Sequence, residues 1–283
     1  MAGASMKDIK TRIKSVQSTM QITKAMELVA SSKLRKAKER QERLRPYHEE
    51  LAHALSEIEA NTNDFSSVYQ KKREIRKTCI IVIAGDRGLA GGYNGNIFKM
   101  VAGLELNPEN VCIIPIGKRS VDYFERRGYE ILTKAFAEAA GVSVSDCFVI
   151  SRLITEGFAK EKFDRVVIVY TKLYSLLSQV PEEMELLPLT SAAEKKEGVQ
   201  ELVLYEPSAD TVYNSIVPSY IAGMIYSAMC ESVASELAAR RTAMDAASKN
   251  ASEMIDDLSL RFNRARQCAI TQEITEIVAG AEH

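Results

Sequence analysis

Chain breakers are scarce in this sequence. Its 283 residues include 14 Gly and 7 Pro, where average usage would give about 20 and 14, so helix should be plentiful. Cysteine is equally uninformative as a scaffold: Cys79, Cys112, Cys147, Cys230 and Cys268 are odd in number and far apart, with no C-x-x-C pair. That pattern suggests neither a disulfide framework nor a zinc site, and fits reduced thiols. No apolar run approaches the roughly 18 residues a membrane span needs. The opening MAGASMKDIK has no apolar core of a secretory signal, and no Arg- and Ser-rich transit peptide is visible. Histidine is limited to His48, His53 and His283. Disorder is excluded by an ordinary apolar fraction of 46% and a formal net charge of −1.

The distribution of the breakers says more than their number. Eleven of the glycines fall between Gly85 and Gly198, whereas residues 4–45 and 224–279 contain neither Gly nor Pro. Both ends therefore read as long helices. In the first, Ile9, Val16, Thr23, Ala30, Ala37, Leu44, Leu51 and Ile58 recur every seven residues, joined by Ile13, Met20, Leu34 and Leu55. In the last, Ile216, Gly223, Cys230, Leu237, Met244, Ala251, Leu258 and Ala265 form a second line, with Tyr226, Val233, Ala247, Met254 and Cys268 beside it. A sustained seven-residue period implies a left-handed supercoil. The simplest arrangement is an antiparallel pair of the two terminal helices, the second ~100 Å long at 1.5 Å per residue.

The middle has another rhythm. Short apolar runs at 79–84, 111–117 and 165–173 alternate with helical stretches near 93–105, 118–127 and 146–160, a βαβ pattern. Polar segments 60–76 and 188–212 lead into and out of it. Residues 1–60, 77–205 and 208–283 are expected as a coiled-coil helix, an inserted α/β domain and a second coiled-coil helix. Charge is segregated as well: between Lys7 and Arg45 there are 12 basic and four acidic residues. Nucleic acid, an acidic protein surface, or solvent could face that stretch. The lack of aromatics before Tyr47 weakens single-strand binding.

Catalytic motifs are missing. The glycine-rich run Gly85-Asp86-Arg87-Gly88-Leu89-Ala90-Gly91-Gly92-Tyr93-Asn94-Gly95 follows a predicted strand, where phosphates often bind. Its spacing fits neither G-x-G-x-x-G nor G-x-x-x-x-G-K-[ST]. A turn whose glycines allow close packing, with Arg87 exposed to a partner, is the alternative. Glu50-x-x-His53 has di-iron spacing but no second copy, and no G-x-S-x-G or H-E-x-x-H occurs. No cofactor and no metal is expected. On residues alone, a nucleotide-binding enzyme with a coiled-coil appendage and a nucleic-acid adaptor remain open beside a non-enzymatic partner-binding shaft.

Both termini carry longer signatures. Residues Glu231–Ala251 (ESVASELAARRTAMDAASKNA) and Asn263–Ala281 (NRARQCAITQEITEIVAGA), together with Ile9–Val16 (IKTRIKSV), Ile22–Ala30 (ITKAMELVA), Lys33 and the basic run to Arg40, closely resemble the γ subunit family of the F-type ATP synthase. Asp86–Asn94 (DRGLAGGYN) is similar to that family's loop, which often has Cys where this chain has Ala90. The resemblance spans almost the whole chain. It implies a long antiparallel coiled coil of N- and C-terminal helices with an inserted α/β (Rossmann-like) domain, forming a bacterial rotor shaft without an active site. It implies as partners the α and β subunits of the hexameric head, the ε subunit and the c-ring. Nucleic acid would not be a partner, and contact with the cytoplasmic face of the membrane would come only through the complex. The matching positions imply that Met26, Lys33, Arg87, Ala90, Arg240, Arg266, Gln267, Thr271 and Glu273 meet the β subunits. Residues 270–283 would be a tip held in an apolar sleeve.

Overall fold

A computed structural model describes residues 6–62, 65–105, 107–190 and 203–281. Leu44, His48, Gly280, Ala281 and His283, named above, lie outside the residues whose side chains are described. The elements, in chain order, are α1 (Met6–Asn61), β1 (Thr78–Ile83), α2 (Tyr93–Gly103), β2 (Val111–Ile116), α3 (Lys118–Glu125), β3 (Glu130–Ile131), α4 (Val144–Ala159), β4 (Arg165–Leu173), β5 (Gln179–Leu187) and α5 (Ala209–Ala281). The chain divides into two compact units, one of Met1–Ser31 with Arg240–His283, the other Ser32–Ala239. Both long helices contribute to each.

The larger unit is built on a five-stranded sheet in the order β3-β2-β1-β4-β5, parallel except for β5. All six residues of β1 and all six of β2 are buried, as continuous apolar runs should be in a sheet covered on both faces. Alternate side chains enter different cores. Ile80, Val82, Ile113, Val167 and Val169 meet Ile97 and Val101 of α2 and Phe124 of α3. On the other face Ile81, Ile83, Ile114, Ile116 and Ile168 meet Ile150, Ile154 and Phe158 of α4, Leu55 and Ile58 of α1, and Tyr213, Val217, Ile221 and Ile225 of α5. Each such side chain contributes about 1.5–3 kcal/mol when fully buried.

Within this unit α1 and α5 run antiparallel. Leu34 packs on Ala234, Leu237 and Ala238, while farther along α1 Glu59 accepts a 2.7 Å hydrogen bond from the hydroxyl of Tyr213. From Ile216 to Ala239 no position of α5 is exposed. A helix enclosed on every side must be apolar or small all round, which is why Ala228, Ser232, Ala234, Ser235 and Ala238 occupy its closest approaches. The buried serine hydroxyls of α5 find partners: Ser235 donates to the carbonyl of Thr171 at 2.9 Å, and Ser232 pairs with the hydroxyl of Tyr93 at 2.7 Å.

In the smaller unit the seven-residue seam is visible in the burial. Ile9 and Ala30 are buried, and Ile13, Val16, Met20 and Thr23 half-buried, while most positions between them are exposed. Thr23 and Ser248 share a 2.7 Å hydrogen bond across the seam. On α5 the seam follows Met244, Ser248, Ala251, Ile255, Leu258, Phe262, Ala265 and Ala269. The expected line through Met244, Ala251, Leu258 and Ala265 lies on this seam, and the correction concerns two positions expected beside it: Met254 is 45% exposed and Cys268 is exposed. Both sit one position short of Ile255 and Ala269, on the outward side of the 4-3 alternation that keeps knobs facing the partner helix.

Two strands escaped the sequence reading. β3 is two residues long, and β5 (QVPEEMELL) is an edge strand carrying Pro181 and three glutamates. Glu183 and Glu185 each hold Arg165 of β4 at 2.8 Å. Gly117 connects β2 to α3 at φ +92°, and a Cβ there would lie 2.1 Å from the carbonyl oxygen of Ala84. Gly117→Ala should therefore destabilise the chain by about 3 kcal/mol through strain and overlap. Urea unfolding followed by circular dichroism checks this, and an unchanged midpoint would refute it.

Candidate interaction surfaces

The glycine-rich loop lies at the carboxyl edge of the sheet, where open α/β folds bind ligands. Its own side chains fill that place. The Asp86 carboxylate accepts hydrogen bonds from the backbone amides of Lys118 at 3.3 Å, Ala139 at 2.8 Å and Ala140 at 3.2 Å. An internal anion thus takes the first amide of α3, where a phosphate would sit in a nucleotide site. Asn94 ties the loop to itself, accepting from the Gly85 amide at 2.8 Å and donating to the Arg87 carbonyl at 3.3 Å. Below the loop the Tyr93 hydroxyl is buried against Ser232, and burial pushes its pKa up. Gly85 lies so close to α5 that a Cβ would meet a carboxylate oxygen of Glu236 at 2.7 Å.

The loop presents a small outer surface. Arg87 is exposed, and Leu89 is 64% exposed at φ +65°. A non-glycine residue held left-handed at an exposed tip is strained. Ala90, by contrast, is 2% exposed. Its methyl group is covered by the chain, so at this position Arg87 and Leu89 are the groups available to a partner.

The remaining expected positions lie on the long helices. In the larger unit Lys33 is exposed at the start of a basic stretch that includes Arg35, Lys36, Lys38 and Arg40. In the smaller unit Met26 and Arg240 are half-buried, and Arg266, Gln267, Thr271 and Glu273 are exposed. Among the described residues Arg266 and Gln267 have no hydrogen bond or ion pair, whereas Thr271 accepts through its carbonyl from the Thr275 hydroxyl at 2.8 Å. Two apolar patches accompany them. Ile22 and Val29, 59% and 55% exposed, flank Met26 on the outer face of α1. Ile270, Ile274, Ile277 and Val278, between 48% and 66% exposed, line one side of α5 beyond the seam. Helical spacing of i, i+4, i+7 and i+8 in the sequence would have revealed the second stripe.

His53 faces Glu57 at 3.7 Å, one turn along an exposed helix face. Among the described residues no cluster of three or more His, Cys, Asp or Glu could hold a metal ion. No described helix is long and apolar enough to cross a membrane.

The architecture is that of a helical-hairpin protein with an α/β body set between the two arms of the hairpin in sequence, and its exposed groups suit contact with other proteins. A family model described as ATP synthase matches residues 5–283. The ATP synthase gamma chain of Ruminococcus albus is 48% identical over 283 residues, covering 98% of each chain, and that of Alkaliphilus metalliredigens is 44% identical over 99% of each. A sodium-ion-specific gamma chain from Acetobacterium woodii is 41% identical over 97% of each. The chain belongs to the ATP synthase gamma-chain family. Its fold matches a chain in the structure of the Euglena gracilis mitochondrial ATP synthase, with a TM-score of 0.66 at 19% identity over 98% of this chain and 93% of that one. A chain in the central stalk and c-ring structure of the Tetrahymena thermophila mitochondrial enzyme gives 0.59 at 23% identity, over 80% of this chain and 99% of that one.

Because the Asp86 carboxylate already occupies the amides at the sheet edge, the purified chain should not bind ATP at this loop in the micromolar range. Isothermal titration calorimetry checks this, and micromolar binding lost in Arg87→Ala would overturn it.

Proposed function

We propose that this chain is the central rotor shaft of a bacterial F-type ATP synthase. It couples rotation of an ion-driven c-ring to opening and closing of catalytic sites on the β subunits, and hydrolysis drives the reverse. It contributes no active site of its own, needs no cofactor, and joins the cytoplasmic face of the membrane peripherally, through the complex. Residues 1–60 and 208–283 serve as the shaft, and the inserted domain, 77–205, serves as the foot beside the ε subunit and the c-ring. Whole-chain membership of the gamma-chain family is the observation that carries this reading.

The exposed groups support the assignment of contacts. Met26 with its apolar neighbours, Lys33 and Arg87 face the acidic lever segments of the β subunits. Arg266 and Gln267 hydrogen-bond a β loop, with Arg240, Thr271 and Glu273 nearby. The isoleucine stripe beyond Ala269 turns inside an apolar collar formed by the head. Ala90, being covered, supports Arg87 and Leu89 from below. The physical requirement is that no contact hold too firmly. Exposed ion pairs contribute about 0–1 kcal/mol each and are screened by salt, so a basic face can pass from one acidic partner to the next without a deep well.

The chain should co-purify with α and β subunits when the three are co-expressed, and its failure to do so would sink the assignment. Combined Arg266→Ala and Gln267→Ala should leave the circular dichroism of the chain unchanged but weaken ATP-driven ion pumping by assembled complexes severalfold. Unchanged pumping would count against those two contacts.

A further inference from the structure

Cys79 and Cys112 lie 33 positions apart in sequence, yet the parallel pairing of β1 with β2 places them directly opposite one another. Both belong to the same core cluster, so both side chains leave the same face of the sheet. Neighbouring strands are about 4.8 Å apart, inside the 4.4–6.8 Å separation of α-carbons that a disulfide spans. We propose that Cys79 and Cys112 form a redox pair that closes to an intrachain disulfide between β1 and β2 when the chain meets a peroxide.

The surroundings favour this pair over the other thiols. The Cys112 thiol donates to the Thr78 carbonyl at 3.8 Å, and the two facing thiols shift in opposite directions, the Cys79 sulfur holding Cys112 below its usual range while Cys112 and burial push Cys79 up. The Lys77 ammonium also favours a thiolate at Cys112, while its 2.6 Å ion pair with Glu130 fixes it at the amino edge of the sheet. Thiolate character selects the attacking sulfur. Access comes from the same side. Both thiols are fully buried, but beyond Cys112 the sheet continues only as the two-residue β3, in which Glu130 pairs with Cys112. Entry of peroxide then takes local opening of this edge together with the core residues packed over Cys112.

The chemistry balances in two steps. The Cys112 thiolate attacks one peroxide oxygen, the O–O bond breaks, and with one proton taken up the products are a sulfenic acid and water. The Cys79 sulfur then attacks the Cys112 sulfur, the S–O bond breaks, the Cys79 proton leaves with the hydroxide as a second water, and the S–S bond remains. Two thiols are oxidised and one hydrogen peroxide is reduced. Cys147 lies on α4 and Cys230 on α5, outside any such strand pairing, and exposed Cys268 serves as an internal control.

The test uses the full-length chain treated with hydrogen peroxide, quenched, and digested by trypsin without reduction. Cleavage after Lys77, Arg87, Lys99 and Lys118 isolates the two cysteines on peptides 78–87 and 100–118. A linked pair of these peptides, short of two hydrogens and released by dithiothreitol, is the expected product. In Cys79→Ser the link should vanish and a dimedone adduct should appear on Cys112. The proposal fails if both thiols remain free for alkylation after denaturation while Cys268 is oxidised, or if Cys112 is recovered linked to any other cysteine.

Discussion

Between Ile216 and Ala239, α5 packs against one face of the sheet, against α4 and against α1. That enclosure is the constraint on which the rest of the structure depends. It forces the helix to be apolar or small at almost every position, Glu231 and Glu236 being the charged exceptions, and it places Ser232 and Ser235 where β4 and Tyr93 need hydrogen-bond partners. It also presses the Gly85 loop against Glu236. A helix that is at once a shaft strand and the floor of an α/β layer cannot shift relative to either without breaking both sets of contacts, so the inserted body and the hairpin that flanks it are joined by packing as well as by chain connection.

Much of this was legible beforehand, because the signals are local. The apolar runs predicted β1, β2 and β4 almost to the residue, since a strand buried on both faces needs no partner to be recognised. The seam on α1 was equally clear. What failed has physical reasons. On α5 the enclosure makes almost every position between Ile216 and Ala239 apolar or small, so the positions that accompany the sevenfold line can be placed three or four residues on, and the choice of three led to Met254 and Cys268 in place of Ile255 and Ala269. β5 was hidden because its glutamates and Pro181 suit an edge strand stabilised by Arg165, an interaction between residues 18 and 20 positions apart. The spatial pairing of Cys79 with Cys112 is invisible in spacing alone, because strand register arises from the crossover between them.

The candidate surfaces divide along the same line. Charged positions such as Lys33, Arg87 and Arg266 could be named from the sequence because charge needs no structure to be noticed. Leu89, Ile22 and Val29 could not, because an exposed apolar side chain is informative only after the folded chain has been seen to leave it uncovered. Ala90 illustrates the converse, a position singled out by motif that the folded loop covers.

The Asp86 carboxylate has a consequence for the order of events in assembly. A glycine-rich loop that cradles a bound phosphate reaches its final form only when the ligand arrives, and its fold is therefore tied to ligand supply. Here the negative charge is part of the chain and the amides of Lys118, Ala139 and Ala140 are satisfied from within. The loop can take its shape as soon as the sheet forms, so its surface is ready-made before any partner is encountered.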